Sequence, residues 1–392
     1  MNSSRNSTLD MIRGLAALEV ALGHLRGFLF DDYFHLVNPG LLVKAFYFLT
    51  GFGHQSVTVF FVLSGYLVGG SVLTARSEGF FVRYSVQRLS RLWIVLLPCL
   101  AATALWNLLG YHVGGADFLN GKLDAHTFVV LPVRTDIIAF LSNLFFLQTI
   151  VTPVYGDNVP LWSLANEFWY YVLFPLLYFG FKKETRKKIL LRSICVASGI
   201  AILIALPWGI CLGFIVWLSG MAIAAFEKYG IDKIFSSKWY AVPVLFACAG
   251  VFACSRFYVV HDIVLGLGFA AALPVFMRLP NLPKLVALPS AWLADFSYTL
   301  YLAHFSLATF IWYGIFDSQR LQPSWTAACR YGVSALVIIA YSFGLSLLFE
   351  RNTDKLRRFV MRHLPGQESN RVLARPASVA APPIEDRKPP RP

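Results

Sequence analysis

Long apolar segments alternate with short charged loops along most of the chain. A helix needs roughly 20 apolar residues to cross a bilayer, and ten segments approach that length. They are 9–30, 54–75, 92–110, 163–181, 189–206, 208–227, 239–256, 259–277, 291–314 and 327–349. The apolar segment 136–150 is too short for a full crossing, which is typical of a re-entrant or interfacial segment. The pattern predicts an all-α polytopic membrane protein with about ten transmembrane helices, and residues 31–53 are expected to form a loop.

The first apolar segment, LDMIRGLAALEVALGHLRGFLF, carries Asp10, Arg13, Glu19 and His24. Such groups cost about 2.5–3.5 kcal/mol each inside a bilayer, so they usually face a protein interior or a wet cavity. Arg13 and His24 lie eleven residues apart, close to three helical turns. Both side chains therefore leave one face of the helix, about 16 Å apart along its axis. Asp10 lies near the same stripe, whereas Glu19 points away from it and receives no role.

His24 has two interpretations. It could pack as a hydrogen-bonding group between helices, which would be the better choice in a soluble core. Its alignment with Arg13 in a membrane segment favours a catalytic or ligand-binding role. We therefore expect His24 to belong to a site.

Charges in the loops predict the orientation, because Lys and Arg are enriched in cytoplasmic loops. With the N-terminus in the cytoplasm, the basic stretches all fall on that side if 136–150 does not cross. These stretches are 76–91, 182–188, 228–238, 278–284 and 351–362. Residues 1–350 are expected to form one domain in the cell's inner membrane, with both termini cytoplasmic. Residues 351–392, basic and then rich in Pro and Ala, are expected to be disordered.

Composition narrows the classes of protein. Hydrophobic residues make up 57% of the 392 residues and charged residues 14%, against about 25% charged residues in a soluble domain. The net charge of +13 lies in short loops between apolar segments, which excludes a nucleic-acid-binding surface. The six cysteines show neither CxxC nor Cys/His ligand spacing, so we expect neither a disulfide framework nor a metal site.

Two motifs place polar groups in or beside the second and third segments. FFVLSGYL contains Ser64, Gly65 and Tyr66, where small residues permit close backbone approach, as they commonly do in membrane helices. Arg88 and Arg91 are three residues apart and share a helix face at the cytoplasmic mouth of the third segment. Two guanidinium groups on one face suit phosphates, but they are also typical of a topology anchor.

Two later motifs carry a carboxylate and a histidine. In PLWSLANE, Glu167 lies about one turn into its helix, after Trp162. Its carboxylate could cap the helix N-terminus or orient a hydroxyl substrate or a histidine. FSYTLYLAH places His304 inside an apolar segment, where a structural hydrogen bond is more common than a site role. The residues alone leave these alternatives open.

In this order, LDMIRGLAALEVALGH, FFVLSGYL, RLSR, LWSLANEFWYYVLFPLL and FSYTLYLAH resemble the membrane-bound acyltransferase-3 family. The resemblance is closest to bacterial members that O-acylate exopolysaccharide, lipopolysaccharide and other sugars, and it covers about residues 9–350. It implies a ten-helix core, an acyl-coenzyme A donor and an Arg-ten residues-His motif, which Arg13 and His24 match. Arg88 and Arg91 match the family's Arg-x-x-Arg pair, which is associated with the donor.

Two other motifs match the family in part or in full. Ser64, Gly65 and Tyr66 match its Ser-Gly-aromatic stretch, which lies near the site. Many members read WSLSVEEQFY where this chain reads WSLANEFWYY. Glu167 therefore matches the first acid of that pattern, and Phe168 stands in place of the second.

The resemblance implies transfer of an acyl group, acetyl by default, from acyl-coenzyme A to a carbohydrate hydroxyl, with no permanently bound cofactor. His24 is the expected general base, because a neutral imidazole can take a proton near physiological pH. Glu167 is expected to act with it in catalysis. Substrate-binding roles are expected for Arg13, Ser64, Gly65, Tyr66, Arg88, Arg91, Trp162 and His304. The expected partners are acyl-coenzyme A, a carbohydrate acceptor and the bilayer, without nucleic acid.

Two other functions also fit polar residues in membrane segments. One is a transporter or flippase of a lipid-linked sugar, which the sequence disfavours because it shows no internal repeat. The other is a structural subunit of a polysaccharide assembly complex. A structural subunit would leave the alignment of Arg13 with His24 unexplained.

Overall fold

The computed structural model describes residues 6–75, 79–115, 118, 133–182, 189–231, 235 and 237–364. This part of the chain is nearly all helical and contains no β-strand, so the all-α prediction is confirmed. The first helices are α1 Ser7–Leu29, α2 Leu41–Leu49, α3 Gly53–Ser64, α4 Gly70–Leu73, α5 Phe80–Gly114 and α6 Ile137–Leu144. They are followed by α7 Leu161–Phe181, α8 Ile189–Ala205, α9 Trp208–Lys228, α10 Lys238–Cys254, α11 Asp262–Arg278, α12 Lys284–Asp295, α13 Ser297–Phe310, α14 Trp325–Leu348 and α15 Thr353–His363.

Four helical stretches among the described residues are long and apolar enough to cross a membrane, judged by length and composition alone. They are Leu41–Leu73, Phe80–Gly114, Trp208–Lys228 and Trp325–His363. α8 and α10 are apolar but shorter. α1 has 23 residues, but it carries several charged side chains. The predicted count of about ten spans is therefore not confirmed.

Residues 31–53, predicted as a loop, contain α2 and the start of α3. The α2 sequence, LLVKAFYFL, is apolar except for Lys44. A helix of nine residues is too short to cross a bilayer alone, so apolar length does not predict it as a membrane-spanning segment. The loop prediction is wrong for this part of the chain.

Two predicted spans have other bounds in the structure. α5 begins at Phe80, earlier than predicted, and Arg88 and Arg91 therefore lie within it. The predicted span 291–314 is divided between α12 and α13, because Phe296 leaves the helical conformation with φ −123° and ψ 13°. This division fixes the start of α13, which carries His304.

The short segment 136–150 contains only the eight-residue helix α6. Asp136 Oδ1 accepts hydrogen bonds from Ile138 N and Ala139 N, at 3.1 and 3.0 Å, and so caps the helix. Arg134 Nε lies 2.5 Å from Asp136 Oδ2, and this contact holds the pKa of the Asp136 carboxyl well below its usual range. A re-entrant or interfacial position for this segment stays a prediction.

The segment predicted to be a disordered tail begins with a helix, α15. Leu356, Phe359 and Val360 follow helical spacing on one face, and α15 packs against α5. Disorder is therefore the wrong prediction for this part, while residues 365–392 lie outside the described residues. Also outside are the basic positions 76–78, 183–188 and 232–234.

α1 is the helix that positions the site, and it packs against α3, α12, α13 and α14. Asn6 begins it by accepting hydrogen bonds from Thr8 N and Leu9 N, at 3.0 and 3.1 Å. α13 also packs against α5 and α14, and every residue from Thr299 to Thr309 is buried. The two helices that carry His24 and His304 are therefore fixed against each other.

α3 continues into a π-helical turn, Gly65–Gly69, where it crosses α9. A Cβ at Gly65 would overlap the carbonyl oxygen of Trp217, and one at Gly220 would overlap that of Val62. The two backbones can approach this closely only because both positions are glycine. Turns of this kind inside α-helices are frequent at functional sites.

Candidate active site

Two histidines from different helices form the centre of the candidate site. His24 Nδ1 lies 2.9 Å from His304 Nε2, and the planes of the two rings are nearly parallel, at an angle of 7°. The edge of Phe305 packs against the His24 ring, with ring centroids 5.0 Å apart. His304 is completely buried, whereas part of the His24 surface is exposed. Of the pair, His24 is therefore the one that can meet a substrate.

The hydrogen bonds of His304 determine which nitrogen of His24 is available. His304 Nδ1 lies 2.9 Å from the carbonyl oxygen of Leu300, which can only accept a hydrogen bond. In the neutral ring, His304 Nε2 then carries no proton and accepts the proton of His24 Nδ1. Neutral His24 consequently keeps its lone pair on Nε2. The pair presents the unprotonated nitrogen that a general base requires.

Arg88 and Arg91 form a positively charged surface on α5. The guanidinium carbon of Arg88 lies 5.8 Å from the ring centroid of Tyr84 and 5.9 Å from that of Tyr171. Within the described part of the chain, the buried Nε–H of Arg88 has no hydrogen-bond partner. Arg91 is exposed, and Glu167 acts on its charge. The pair thus offers an unsatisfied donor and an accessible positive charge, which suit phosphate groups.

Arg13 and Arg91 share a carboxylate, Glu350, whose charge both arginines stabilise. Glu350 Oε2 accepts hydrogen bonds from Thr299 Oγ1 at 2.6 Å and from Thr299 N at 3.1 Å. Thr299 lies in the first turn of α13, five residues before His304. Glu350 therefore places a carboxylate, on whose charge both arginines act, at the beginning of the helix that holds His304.

Arg13 and His24 face two helices that are consecutive in the chain, α12 and α13, as expected for side chains on one face of α1. Arg13 Nη2 donates a hydrogen bond to the carbonyl oxygen of Ala294 at 2.9 Å, at the end of α12. Its ion pair with Asp10 is 3.8 Å long, within the same stripe. Since His24 contacts α13, the prediction of one shared polar face on α1 is confirmed.

Glu167 lies in a cluster of hydroxyl and indole groups. Its Oε1 accepts hydrogen bonds from Ser64 Oγ at 3.2 Å and from the hydroxyl of Tyr171. Trp217 Nε1 donates to Ser64 Oγ at 3.1 Å and completes the cluster. The cap of α7 is Pro160, so the capping role left open by the sequence is excluded. Glu167 instead orients hydroxyl groups of the protein.

The sequence model of an acyltransferase domain matches residues 6–346. The chain belongs to the acyltransferase-3 family. It is therefore a membrane acyltransferase, as the motifs indicate. The match includes every residue for which a site role is predicted. Comparisons with curated proteins and with solved structures gave no match.

In this acyltransferase, one hydrogen bond joins α13, which carries His304, to α7, which carries Glu167. The hydroxyl of Tyr301 lies 2.7 Å from Ser163 Oγ. Tyr301 precedes His304 by about one turn of α13, and Ser163 precedes Glu167 by about one turn of α7. This bond therefore links the helix of His304 to the helix of Glu167.

The other predicted substrate-binding residues contact neighbouring helices. The hydroxyl of Tyr66 donates to Glu227 Oε2 at 2.8 Å, and Gly65 lies against the α9 backbone. Trp162 packs edge-on against Phe61, with centroids 6.1 Å apart. Their contacts with substrate stay predictions. The substrate contact predicted for His304 also stays a prediction; His304 is completely buried in the structure, whereas His24 is partly exposed.

Sequence reasoning missed Tyr171 and Glu350. Tyr171 follows Glu167 by four residues, and this helical spacing could have indicated that the two side chains meet. Glu350 follows the last apolar segment, and no pattern links it to Thr299, 51 residues earlier. The contact of Tyr171 with Glu167 could be predicted from helical spacing. The contact of Glu350 with Thr299 could not, because it depends on how distant helices pack.

A buried polar network behind the site was also missed. Asp157 Oδ1 accepts hydrogen bonds from Asn107 Nδ2 and Ser306 Oγ, both at 2.7 Å. Asn158 Nδ2 donates to the carbonyl oxygen of Leu302 at 2.9 Å. These bonds fix the segment that enters α7 against α13. They set the relative position of the helices that carry Glu167 and His304.

A cavity of about 650 Å³ opens where α4, α7 and α9 end. Lys182 and Lys228 lie at this cavity, and most of its other lining residues are apolar or aromatic. Lys228 Nζ donates to the carbonyl oxygen of Leu73 at 2.5 Å and so satisfies the end of α4. None of the predicted site residues lines the cavity. In the part of the chain that the structure describes, no group of three His, Cys, Asp or Glu could hold a metal ion.

Proposed function

We propose that the protein transfers an acyl group, acetyl in the first place, from acyl-coenzyme A to a hydroxyl of a cell-surface or exported carbohydrate. The observation that carries the proposal is the His24–His304 pair, which leaves His24 Nε2 unprotonated on a partly exposed side chain. Acyl transfer to a hydroxyl needs such a base, because the alcohol must lose its proton as it attacks.

The arginines are the proposed donor site. Coenzyme A carries three phosphates, and Arg88 and Arg91 offer an unsatisfied N–H and an exposed charge for them. Arg13 lies on the same face of α1 as His24, about 16 Å away along the helix axis. The pantetheine arm would bridge this distance and bring the thioester to His24. In the proposed orientation the arginines face the cytoplasm, where acyl-coenzyme A is available.

The proposed reaction has two proton transfers. His24 Nε2 takes the proton of the acceptor hydroxyl while the oxygen attacks the thioester carbonyl carbon. The C–S bond then breaks, the new ester is released, and the thiolate recovers the proton from the His24 imidazolium. His304 Nε2 accepts the hydrogen bond of His24 Nδ1 throughout, so it stabilises the imidazolium and fixes the ring.

Glu167 is proposed to act through its neighbours. It holds the hydroxyls of Ser64 and Tyr171, and its charge acts on Arg91. It is therefore proposed as a positioning residue on α7 whose charge reaches the donor arginine Arg91. This role needs one carboxylate, and Phe168 in place of the family's second acid is compatible with it.

An acyl-transfer assay tests the proposal. Membranes that contain the protein are incubated with radiolabelled acetyl-coenzyme A and the host's glycan fraction. We expect label in the glycan with the wild type and none above background with His24→Ala. Arg88→Ala/Arg91→Ala should need far more donor for the same rate. Normal labelling by inserted His24→Ala would contradict the mechanism. If no glycan is labelled and no free thiol of coenzyme A is released, the result would contradict the acyltransferase reaction. It would then favour transport of a lipid-linked sugar.

A further inference from the structure

A second charged cluster lies where α1 meets the junction of α2 and α3. We call Glu19, Arg26 and Arg256 the Glu19 cluster. Glu19 Oε1 accepts a hydrogen bond from Phe52 N at 2.7 Å, and both arginines act on its charge. Arg256 Nη2 donates to the carbonyl oxygen of Tyr47 at 3.2 Å. The cluster thus occupies the side of α1 that faces away from α13.

The Glu19 cluster places two guanidinium groups within electrostatic reach of one carboxylate. Arg26 and Arg256 lie close enough to repel each other. Asp32 also acts on Arg26, but it is paired with Arg320 at 3.5 Å. The cluster therefore keeps an excess of one positive charge, which an anion would balance.

Both arginines also have unused donors. In the described ranges, the Nε–H groups of Arg26 and Arg256 are buried and have no hydrogen-bond partner. A buried donor left without a partner is destabilising, and a hydrogen bond to a charged acceptor would remove that penalty. Excess charge and unsatisfied donors therefore point independently to an oxyanion.

The cluster is accessible and its guanidinium groups are held in place. Glu19, Arg26 and Arg256 are all partly exposed. The guanidinium carbon of Arg26 lies 4.7 Å from the ring centroid of Tyr47, and that of Arg256 lies 5.5 Å from that of Phe52. Stacked guanidinium groups keep their N–H edges available for a carboxylate or phosphate.

The cluster lies at the level of His24 along α1. His24 falls between Glu19 and Arg26 in sequence, on the opposite side of the helix. The width of a helix, about 10–12 Å, therefore separates an oxyanion bound at the cluster from the His24 ring. Arg13, at the proposed donor site, is thirteen residues before Arg26, about 20 Å along the axis. This separation assigns the cluster to the acceptor side of the reaction.

We propose that the Glu19 cluster binds an oxyanion of the acceptor, and that the acceptor is an acidic glycan with carboxylate or phosphate groups. The inference rests on the proposed acyl transfer to a carbohydrate, whose substrate class it specifies. A purely structural clamp would explain the bonds of Glu19 to Phe52 and of Arg256 to Tyr47. It would leave the excess charge and the two Nε–H groups unexplained.

The experiment compares acceptors and variants in one assay. Membranes receive radiolabelled acetyl-coenzyme A and the host glycan fraction in three forms: native, carboxyl-reduced and phosphatase-treated. The labelled product is separated by anion exchange. We expect the wild type to label acidic glycan, and one of the two treatments to raise the KM for acceptor. The treatment that does so identifies the oxyanion, and this arm does not depend on any variant folding.

The variants are Arg26→Gln and Arg256→Gln, with Arg330→Gln as the matched control. Arg330 also stacks its guanidinium on an aromatic ring, at 4.9 Å from the centroid of Phe316, but lies outside the cluster. Each cluster variant should raise the KM for native glycan by about 10- to 100-fold, as expected for one lost bond to a charged group. The KM for acetyl-coenzyme A should stay unchanged, and Arg330→Gln should behave as the wild type.

Three results would overturn the inference while acyl transfer to glycan stands. They are label only in neutral glycan, an equal KM for all three acceptor forms, and a loss of kcat with an unchanged acceptor KM in both cluster variants. The last result would show a structural clamp. Label in no glycan at all is a different outcome, because it would contradict the proposed function itself and the acceptor assignment with it.

Discussion

His24 Nδ1 lies 2.9 Å from His304 Nε2, with the two rings parallel to within 7°. His304 is itself anchored by the carbonyl oxygen of Leu300, one turn earlier in α13. The backbone of one helix therefore determines the tautomer of a side chain on another. A buried second histidine has a clear use in this arrangement, because it leaves the accessible His24 Nε2 free to take a proton.

This relationship predicts a graded loss of activity. His24→Ala should lower kcat by about 10²–10⁴, the usual contribution of a general base. His304→Leu should lower kcat by less, because the base remains but loses its partner. His304→Gln should retain more activity than His304→Leu, since an amide oxygen can accept the His24 Nδ1 proton. Steady-state kcat and KM for acetyl-coenzyme A measure this series.

The KM for donor serves as the control in that series, and it should be equal in all four proteins. The pH dependence of kcat should move in His304→Gln, because the partner of the base has changed, whereas a purely structural loss would lower activity equally at every pH. Wild-type kcat in His304→Leu would contradict the positioning role.

The proposed contact of Arg88 with phosphate predicts that its variants lose activity with acetyl-coenzyme A but not with a donor that lacks phosphate. Arg88→Gln should raise the KM for acetyl-coenzyme A by about 10- to 100-fold, the effect of one lost bond to a charged group. S-acetylpantetheine has no phosphate, so its kcat/KM should be equal in the wild type and the variant. Arg88→Lys should also be impaired, because an ammonium does not reproduce the stacked guanidinium over Tyr84 and Tyr171. An equal loss with both donors would assign Arg88 a structural role instead.

Local periodicity explains which parts of the site the sequence predicts. Spacing along the sequence is enough to predict that Asp10, Arg13 and His24 share one face, because all three lie on one helix. The partner of His24 is 280 residues away, and no spacing within either segment indicates the contact. Glu350 was missed for the same reason, since its position depends on how α14 ends against α13.

The fold shows a similar division. Apolar length predicts helices well, because it reflects burial and membrane insertion. It does not predict where α12 ends, because Phe296 is apolar and neither Asp295 nor Ser297 beside it is a Gly or Pro that would mark the end of a helix. It also passes over α2 and α15, which are too short to cross a bilayer. α15 packs against α5, and Phe46 of α2 packs edge-on against Tyr331 of α14.

The Glu167 cluster predicts a stability change. Tyr171→Phe keeps the ring that lies under Arg88 but removes the hydroxyl that donates to Glu167. One lost bond to a carboxylate should lower the free energy of unfolding by about 1.5–3 kcal/mol. Thermal unfolding in detergent measures it, with Tyr258→Phe as the exposed control. An unchanged melting temperature in Tyr171→Phe would show that the carboxylate is satisfied without this tyrosine.

The crossing of α3 and α9 predicts that Gly65 and Gly220 act in packing. Alanine at either position would overlap a carbonyl oxygen on the facing helix, and overpacking of this kind costs about 1–3 kcal/mol. We expect Gly65→Ala and Gly220→Ala to lower the melting temperature. Gly332→Ala is the matched control, because nothing lies within 4 Å of its added Cβ, and better helix propensity should leave it as stable as the wild type or more so.

Comparing Gly65→Ala with Gly220→Ala distinguishes a packing role of Gly65 from its predicted contact with substrate. Gly220 lies opposite Gly65 on α9 and has no predicted substrate role, so the two variants should lose stability together. If Gly65 acts only in packing, the folded fraction of Gly65→Ala should keep the wild-type KM for acetyl-coenzyme A. A raised KM in Gly65→Ala, with the KM of Gly220→Ala unchanged, would instead place the donor directly against the π-helical turn.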